Sequence, residues 1–426
     1  QSVTVRLICD REREIEAFQS EEYWTVEAKL KKGKNAFTAD VTHVRGKKLA
    51  LHSEAETKAL TDDLARQDFI VKEVKRSERR KKAAPPFTTS SLQQDAARKL
   101  GFTSGRTMMI AQQLYEGVVL GRQGATGLIT YMRTDSTRIS NLAVDEARSY
   151  LSETYGRDYV PQRPNIYAMG KKAQDAHEGI RPTSIVRTPA DVEPYLNRDQ
   201  LRLYTLIWQR FAASQMSAAV YDTIAAQIAA GDYQLRAHGS KLKFKGYTAV
   251  YVGAEIAKKE KDTLLPELEA GDALALSDLK PEQHFTEPPP RYNDASIVKT
   301  LEEMGIGRPS TYAPIIETIQ KRGYVERREK QFRPTELGFI VTDMLEEYFK
   351  DIVDVKFTAN LEGELDEVAD GTLDKNDLLR KFYDPFDETL KQAEDVIGEV
   401  EIPDEVTDIP CDKCGRMMVV KQGRFG

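Results

Sequence analysis

The chain has 426 residues, a length that predicts two to four domains and not a single core. Apolar residues make up 40% and charged residues 31%, a globular composition, and no apolar run approaches the roughly 20 residues that span a bilayer. Three cysteines exclude a disulfide scaffold and favour the cytoplasm, and the N-terminal stretch lacks the long apolar run of a signal peptide.

Negative charge is concentrated in one block of the sequence. Residues 362–408 contain 17 acidic and 4 basic side chains, a net charge of −13, so the total of −6 leaves +7 for the rest of the chain. We expect this acidic block to form a solvated helical face. The segment 71–82, VKEVKRSERRKK, has seven basic and two acidic residues. It is either a strand that faces phosphates or a soluble linker, and the sequence does not separate these readings.

The first half of the chain alternates between helix-like and strand-like patterns. Apolar residues at helical spacing predict a helix from residue 2 to 18, and residues 21–80 alternate like strands. After a break at KKAAPPF, residues 88–216 are helical. Three helices are predicted there: one capped by a Ser90–Gln93 box and ended by Gly101, one capped by Ser104 at about residues 105–116, and one following Ser140.

Strands return from about residue 217 to 286, including the segments TIAAQIAAG, YQLRAHG and GYTAVYVG. A helical domain is therefore expected as an insertion between two parts of one β domain. After EPPPRYND come a helix ended by Gly305, a tight turn, a helix that starts at Pro309–Ser310, a hairpin, and a helix capped by Thr335. This order is the winged variant of a helix-turn-helix.

The stretch LITYMRTDSTRIS at 128–140 contains the first candidate site. A tyrosine that attacks phosphorus needs cations, because negative charge builds up on the phosphoryl oxygens. Arg133 lies two residues after Tyr131, so in an extended segment both side chains share a face, and its planar fork matches two phosphate oxygens. Asp135 could orient that arginine. The alternative is a half-buried strand with a surface Tyr–Arg–Asp ladder.

A second candidate is KKAQDAHEGIRPTS at 171–184, where His177 is accompanied by Lys171, Lys172 and Arg181. A histidine can donate a hydrogen bond to a phosphate or carry a proton. A structural histidine is the alternative.

The third candidate is GIGRPSTYAPIIETIQKRGY, in which Arg308, Ser310 and Thr311 precede a predicted helix and Arg322 stands at its other end. A helix N-terminus is a ready phosphate site. Plain helix capping is the alternative, and it explains Ser310 in part.

Metal ligands are sparse in this sequence. Cys411 and Cys414 form one CxxC pair, which is half of a four-cysteine zinc site, while Cys9 is expected in a core. Phosphoryl transfer often uses a divalent metal held by carboxylates, yet no DxD-type acidic motif stands at a predicted strand end.

Taken together, these stretches resemble one family. GLITYMRTDS, AHEGIRPTS and IGRPSTYAPIIETIQKRGYV resemble the tyrosine, histidine and winged-helix segments of bacterial DNA topoisomerase I, the type IA class. In the histidine segment Ala usually stands where this chain has Gly179. The N-terminal helix resembles the one that follows the family's metal-binding domain. The resemblance runs in order along nearly the whole chain.

The resemblance implies a mixed α and β, multidomain fold: a toroidal core with winged-helix-like helical domains and a β-rich arch. The implied domains are a discontinuous winged-helix DNA-binding domain (1–25 and 288–400), the arch and hinge (26–87 and 217–287), a helical domain with the tyrosine (88–216), and the start of a truncated CxxC zinc module (401–426).

The resemblance also assigns roles. Tyr131 would form a 5′-phosphotyrosyl link with one cleaved DNA strand, Arg133 would position the scissile phosphate, and His177 would bond to the phosphate or the nearby backbone. The other residues at positions that contact single-stranded DNA are Gln1, Ser2, Arg6, Asp135, Arg308, Ser310, Thr311 and Arg322.

The expected cofactors are Mg²⁺, held by an acidic N-terminal (Toprim) domain that would lie upstream of Gln1, and Zn²⁺ in the C-terminal region. The chain is thus expected to be a central part, residues 1–410, of a larger enzyme, and to bind single-stranded and negatively supercoiled DNA without relaxing it alone. We expect a monomer in the bacterial cytoplasm, at the nucleoid, with no membrane contact. Two alternatives stay open: a winged-helix regulator without catalysis, and topoisomerase III or reverse gyrase.

Overall fold

The structure is a computed structural model that describes residues 1–167, 177–251, 264–397 and 405–420. The helices in these ranges are α1 (Ser2–Glu16), α2 (Glu54–Leu64), α3 (Thr89–Asp95), α4 (Ser104–Glu116), α5 (Asn141–Tyr155), α6 (Pro189–Val192), α7 (Arg198–Ser214), α8 (Asp294–Glu303), α9 (Tyr312–Lys321), α10 (Glu336–Tyr348), α11 (Val355–Ala369) and α12 (Lys375–Val396). The strands are β1 (Glu22–Lys32), β2 (Asn35–Val44), β3 (Lys47–Lys48), β4 (Phe69–Lys81), β5 (Val118–Val119), β6 (Ala125–Thr126), β7 (Ala219–Ala230), β8 (Tyr233–Phe244), β9 (Ala273–Phe285), β10 (Val325–Arg328), β11 (Gln331–Pro334), β12 (Glu405–Pro410) and β13 (Met417–Val420).

One antiparallel sheet dominates the β structure, in the strand order β1-β9-β4-β7-β8-β2-β3. Its strands alternate apolar and polar residues, so one face buries side chains such as Val26, Ala28 and Leu30 of β1, and the register places Leu30 opposite Phe37. Strand β4 pairs with β7 along its whole length but with β9 only at its first two residues. The basic segment 71–82 is therefore a strand up to Lys81 and not a linker.

Two sequence predictions in the β region are wrong. Residues 54–64 form helix α2, whose N-cap Ser53 accepts a hydrogen bond from the backbone N–H of Glu56, although the region was predicted as strands throughout. The segment that begins GYTAV forms a short 3₁₀ turn at residues 246–249 instead of a strand. There Gly246 has φ +49°, and a Cβ on it would lie 2.4 Å from the carbonyl oxygen of Ala218.

The helical region after residue 88 follows the prediction with small shifts of the caps. Thr88, not Ser90, begins the capping box of α3, and Thr103, not Ser104, caps α4. A π-helical turn extends α3 to Leu100 before Gly101 ends it with φ +69°. Ser140 caps α5 as predicted. Short 3₁₀ turns also occur at residues 121–123, 157–159 and 193–195.

The predicted helix, turn, helix and hairpin after residue 294 are all present. Thr335 caps α10 by accepting from the N–H of Gly338, and β10 pairs with β11 as the hairpin. Helix α9 begins later than predicted, at Tyr312, and Ser310 does not cap it; Thr311 holds the N-cap position without a side-chain cap bond. Helix α1 packs against α10 and β11, so the chain start joins this unit.

The buried apolar residues form three clusters. One gathers residues 83–251 of the helical region, one lines the large sheet, and one joins α1 to α8, α9 and the hairpin. The first cluster also includes Tyr221 and Tyr247, beyond the expected end of the helical domain at 216, and the exact domain boundaries stay a prediction. No helix in the described ranges combines the length and apolar character of a membrane span.

Candidate active-site cleft

The segment around Tyr131 is irregular, and neighbouring backbone holds it in place. Ile129 forms an isolated bridge with Pro182, and the Thr130 hydroxyl donates to the carbonyl of Gly179 at 2.8 Å. The chain bends at residues 130, 132 and 133, so the regular strand considered from the sequence is not formed. Because Ile129 and Met132 are buried on either side of it, Tyr131 is half-buried at a fixed position.

Tyr131 opens onto a cleft of about 330 Å³. The three motifs, although up to 179 residues apart in sequence, all contribute to its walls. The lining residues are Tyr131, Arg133, Thr134, Asp135, His177, Arg308, Pro309, Ser310 and Asp366. The fold thus brings together the tyrosine, the histidine and the turn before α9, while Asp366 comes from the acidic helix α11, which the sequence suggested only as a solvated face.

Two rings flank the tyrosine. The His177 ring centroid lies 5.0 Å from that of Tyr131 at an interplanar angle of 50°, and His177 is exposed. Tyr115, the penultimate residue of α4, contacts Tyr131 edge-on at 5.4 Å and 66°. Tyr115 was not among the predicted site residues, and its only signal in the sequence is the close spacing between the end of α4 and the tyrosine segment. The two contacts limit the orientations that the Tyr131 ring can adopt.

Within the described ranges, Arg133 is a cation of the cleft that is free to bind an anion. Its side chain is exposed, and it has no hydrogen-bond or ion-pair partner within the described ranges. Asp135 lines the same cleft, and its role in orienting Arg133 stays a prediction. The charge of Asp135 also contributes to raising the pKa of Glu302, an effect that comes mainly from burial.

The histidine segment has its own ion pair. Arg181 donates to Glu178 at 2.8 Å, and the Ser140 N–H donates to the same carboxylate at 3.2 Å. Burial opposes ionisation of Glu178, but these hydrogen bonds outweigh burial and lower its pKa. Arg181 therefore fixes the loop against α5 and is not a free phosphate ligand. Lys171 and Lys172, which also carried this motif in the sequence, lie outside the described residues.

Arg308 is in the cleft, but its donors are already used. Its guanidinium donates to both carboxylate oxygens of Asp366, at 2.6 and 3.3 Å, and to the carbonyls of Glu362 at 2.9 Å and Gly307 at 2.8 Å. Burial by itself lowers the pKa of Arg308, yet the nearby Asp366 and Glu362 carboxylates outweigh burial and raise it. The predicted phosphate contact therefore requires Arg308 to exchange a partner.

The remaining predicted DNA contacts differ in their availability. Ser310 is exposed in the cleft wall, whereas the Thr311 hydroxyl accepts from the Arg308 N–H at 2.8 Å. Arg322 is exposed at the C-terminal end of α9. Arg6 is bound to Glu346 at 2.7 Å and to the Val353 carbonyl, so it joins α1 to α10.

Gln1 and Ser2 start helix α1. The Gln1 carbonyl accepts from the N–H of Val5, and Gln1 is exposed whereas Ser2 is partly buried. Neither lines the cleft that contains Tyr131. Their expected contact with the DNA backbone stays a prediction, as do all the residue roles assigned above.

The cysteine pair occupies the turn of a hairpin. Cys411 and Cys414 lie between β12 and β13, where the N–H groups of Lys413 and Cys414 lower the pKa of the Cys411 thiol. This arrangement suits two zinc thiolates and supplies half of a site. Cys9 is fully buried as expected, and burial raises its pKa to about 11.

Carboxylates that could hold magnesium are not gathered anywhere in the described residues. No group of three or more His, Cys, Asp or Glu side chains with metal-binding proximity occurs there. The residues described therefore do not fit a resident Mg²⁺ site.

Comparison with known proteins agrees with the motifs. The family model described as DNA topoisomerase matches residues 1–380. Full-length topoisomerase I from Thermotoga maritima has a similar structure, with a TM-score of 0.80 and 38% sequence identity, over 100% of this chain and 67% of that chain. The predicted mixed α and β core is thereby confirmed. The chain belongs to the type IA DNA topoisomerase family, with bacterial topoisomerase I as its match.

Proposed function

We propose that Tyr131 of this chain is the nucleophile with which a type IA topoisomerase cleaves and rejoins one strand of DNA. The observation that carries the proposal is the cleft itself, which is lined by a half-buried tyrosine, an exposed histidine and an arginine without a partner among the described residues. A phosphodiester placed there would meet the nucleophile and a cation on one side. The family supplies the substrate class, DNA, and the reaction class, isomerisation of DNA topology.

The chemistry follows from these positions. The phenolic oxygen of Tyr131 gives up its proton to solvent and attacks phosphorus, an O–P bond forms to the 5′ side of the break, and the bond from phosphorus to the 3′ oxygen breaks. The departing oxygen takes a proton and becomes a 3′ hydroxyl. Arg133 binds two phosphoryl oxygens with its planar fork and stabilises the charge that develops on them. His177, next to the tyrosine ring, is placed to donate to the same phosphate.

Rejoining is the same reaction in reverse. The 3′ hydroxyl attacks the phosphotyrosine, and Tyr131 leaves. Because the phosphotyrosyl bond conserves the energy of the phosphodiester, no cofactor is consumed. Passing a second strand through the break before rejoining would relax negative supercoils, which expose the single-stranded substrate.

We further propose that relaxation needs groups beyond those described. The departing oxygen needs a proton donor, and Mg²⁺, which type IA enzymes generally use, would supply charge neutralisation. The described residues contain no carboxylate cluster for it. We therefore expect the chain to bind single-stranded DNA, as a monomer, and to leave a plasmid supercoiled when it acts alone.

Covalent trapping tests the proposal. An end-labelled single-stranded oligonucleotide is incubated with the chain, with and without magnesium and the N-terminal part of a type IA enzyme, and the mixture is denatured before electrophoresis. We expect labelled protein only in the complemented reaction, and none with Tyr131→Phe. Plasmid relaxation by the chain alone would contradict the expected need for magnesium and the N-terminal part. An adduct that still forms with Tyr131→Phe would contradict the assignment of Tyr131 as the nucleophile.

A winged-helix regulator remains the second candidate. The helices α8 and α9 with the β10–β11 hairpin have the required order. In this structure, however, Arg308, Pro309 and Ser310, just before α9, line the Tyr131 cleft. A recognition helix needs its N-terminal residues free for the major groove. A regulator would also bind duplex DNA tightly and be indifferent to Tyr131→Phe, which the same set of proteins can measure.

A further inference from the structure

The acidic helix α11 reaches into the cleft with one carboxylate. Asp366 lines the cleft together with Tyr131 and Arg133, although 233 residues separate it from Arg133. It binds Arg308 through two oxygens, Oδ2 to Nη2 at 2.6 Å and Oδ1 to Nε at 3.3 Å. A phosphodiester offers an arginine the same pair of oxygens in the same planar arrangement.

We infer that Asp366 is a built-in competitor of DNA: its carboxylate occupies the phosphate-binding edge of Arg308 and is displaced when a DNA phosphate enters the cleft. The inference rests on the proposed function, since it requires DNA to bind in this cleft. It goes beyond that function by naming a residue that weakens binding and sets how tightly the strand is held.

Arg308 does not need Asp366 to stay in place. Its Nη1 donates to the Gly307 carbonyl at 2.8 Å, and its Nη2 donates to the Glu362 carbonyl at 2.9 Å. The Glu362 carboxylate lies 3.5 Å from Nη1 and accepts from the Gly307 N–H at 3.1 Å. The guanidinium is thus held by the Gly307 carbonyl in the turn before α9 and by the carbonyl and carboxylate of Glu362 in α11. A residue that only positioned Arg308 would thus be largely redundant.

An incoming anion can also replace Asp366 in its ion pair with Arg308. The side chains of Arg308 and Asp366 are 28% and 33% exposed, so water and an incoming anion reach the pair. Ion pairs with this exposure are weak, because solvent screens them. A DNA phosphate that is already bound at Arg133 can replace the carboxylate without burying an unpaired charge.

The experiment measures affinity for single-stranded DNA. Fluorescein-labelled oligothymidylate is titrated with the full chain at several salt concentrations, and binding is followed by anisotropy. The variants are Asp366→Asn, the control Glu367→Gln, Arg308→Gln and the double variant Arg308→Gln with Asp366→Asn. Glu367 is the next residue of α11, it is exposed, and its replacement removes the same charge from the same helix.

We expect Asp366→Asn to bind about two- to fivefold more tightly, the competition that one partly exposed ion pair exerts. The slope of log affinity against log salt should steepen by up to about 0.7, because in the wild-type chain the displaced Asp366 carboxylate takes up a salt cation while the phosphate releases one, and Asp366→Asn has no carboxylate to do so. Glu367→Gln should change affinity by less than half as much. In the Arg308→Gln background, Asp366→Asn should have no effect.

Three results overturn the inference. Weaker binding by Asp366→Asn would show that Asp366 positions Arg308, and an equal gain in Glu367→Gln would show a general effect of charge. A gain that persists in the Arg308→Gln background would show that Arg308 is not involved. If Arg308→Gln does not fold, the salt slope of Asp366→Asn decides alone. No binding by the wild-type chain would refute the proposed function itself, which distinguishes the two failures.

Discussion

Asp294 offers the sharpest test of how the helical region is held against the winged-helix unit. It is the first residue of α8, and its side chain is only 8% exposed. One carboxylate oxygen accepts from the Ser104 N–H at 2.9 Å, at the start of α4, and the carboxylate pairs with Arg327 at 2.9 Å. The Asp294 carboxylate therefore connects α8 both to α4 of the helical region and to the β10–β11 hairpin.

The size of the effect follows from these contacts. Asp294→Ala leaves the mostly buried Arg327 guanidinium without its partner, which costs about 3–5 kcal/mol. The N–H of Ser104 also loses its acceptor. Asp294→Asn keeps an acceptor for Ser104 and removes only the charge, so we expect a cost of about 1–2 kcal/mol. The exposed pair of Arg13 and Asp343 is the control, because Asp343→Ala should cost less than about 1 kcal/mol.

Hydrogen–deuterium exchange is the suitable assay, since a chain with three apolar clusters does not unfold in one step. We expect Asp294→Ala to speed exchange of the peptide around Ser104 by at least about tenfold, with Asp294→Asn in between. Asp343→Ala should leave that peptide unchanged. Exchange at Ser104 that stays at the wild-type rate in Asp294→Ala would refute the assignment of this contact.

Two further predictions concern the cleft. In Gly127→Ala the new Cβ would lie 2.8 Å from the Tyr115 carbonyl oxygen, so the backbone that carries Tyr131 must move. We expect at least about tenfold less covalent adduct from this variant. The control is Gly179→Ala, whose Cβ would lie 3.2 Å from its nearest atom and which should keep nearly the full yield of adduct. Desolvation raises the pKa of Glu302, so the unfolded chain loses this proton at a lower pH than the folded one, and stability should fall as the pH rises above about 4.5. Thermal melts of Glu302→Gln should show a flatter pH dependence, and an unchanged slope would contradict this.

The elements that the sequence predicted correctly are those whose signals are local. Ser140 and Thr335 cap helices where expected, and Gly101 ends one with a positive φ, because each choice depends on a few neighbouring residues. In α3 the run of hydroxyl residues at 88–91 offers several equivalent caps, and tertiary contacts select among them. Thr88 caps because the Thr89 N–H and hydroxyl bind the carbonyl of Thr134, 45 residues away.

Helix α2 was missed although its signal was present. Ser53 and Glu56 stand three residues apart before an apolar pattern, and the Glu56 carboxylate accepts from the His52 N–H. The flanking segments alternate apolar and polar residues as strands do, and this pattern outweighed the capping signal of Ser53 and Glu56 in the prediction. The helix survives between strands because its apolar face, with Leu60 and Leu64, packs on the cluster of the large sheet.

The candidate site could be predicted only in its parts. Tyr131, Arg133 and His177 line the cleft and could be predicted, because each stands in a short motif that can be read from a few neighbouring residues. The contributions of Tyr115 and Asp366 depend on how α4 and α11 pack, and no local pattern encodes that. The acidity of residues 362–408 suggested a solvated surface, yet the helical spacing of four residues places Glu362 and Asp366 together on the face that meets the turn at Arg308.

Four arginines of the motifs now have different roles despite identical chemistry. Arg6 joins α1 to α10, Arg181 is held by Glu178, and Arg308 is held by Asp366. Only Arg133 of these four lacks a partner within the described ranges. A guanidinium that is already hydrogen-bonded must lose a partner to bind phosphate, whereas a solvated one loses only water. On the proposed function, we therefore expect a DNA phosphate to bind Arg133 first, beside Tyr131, and to compete for Arg308 afterwards.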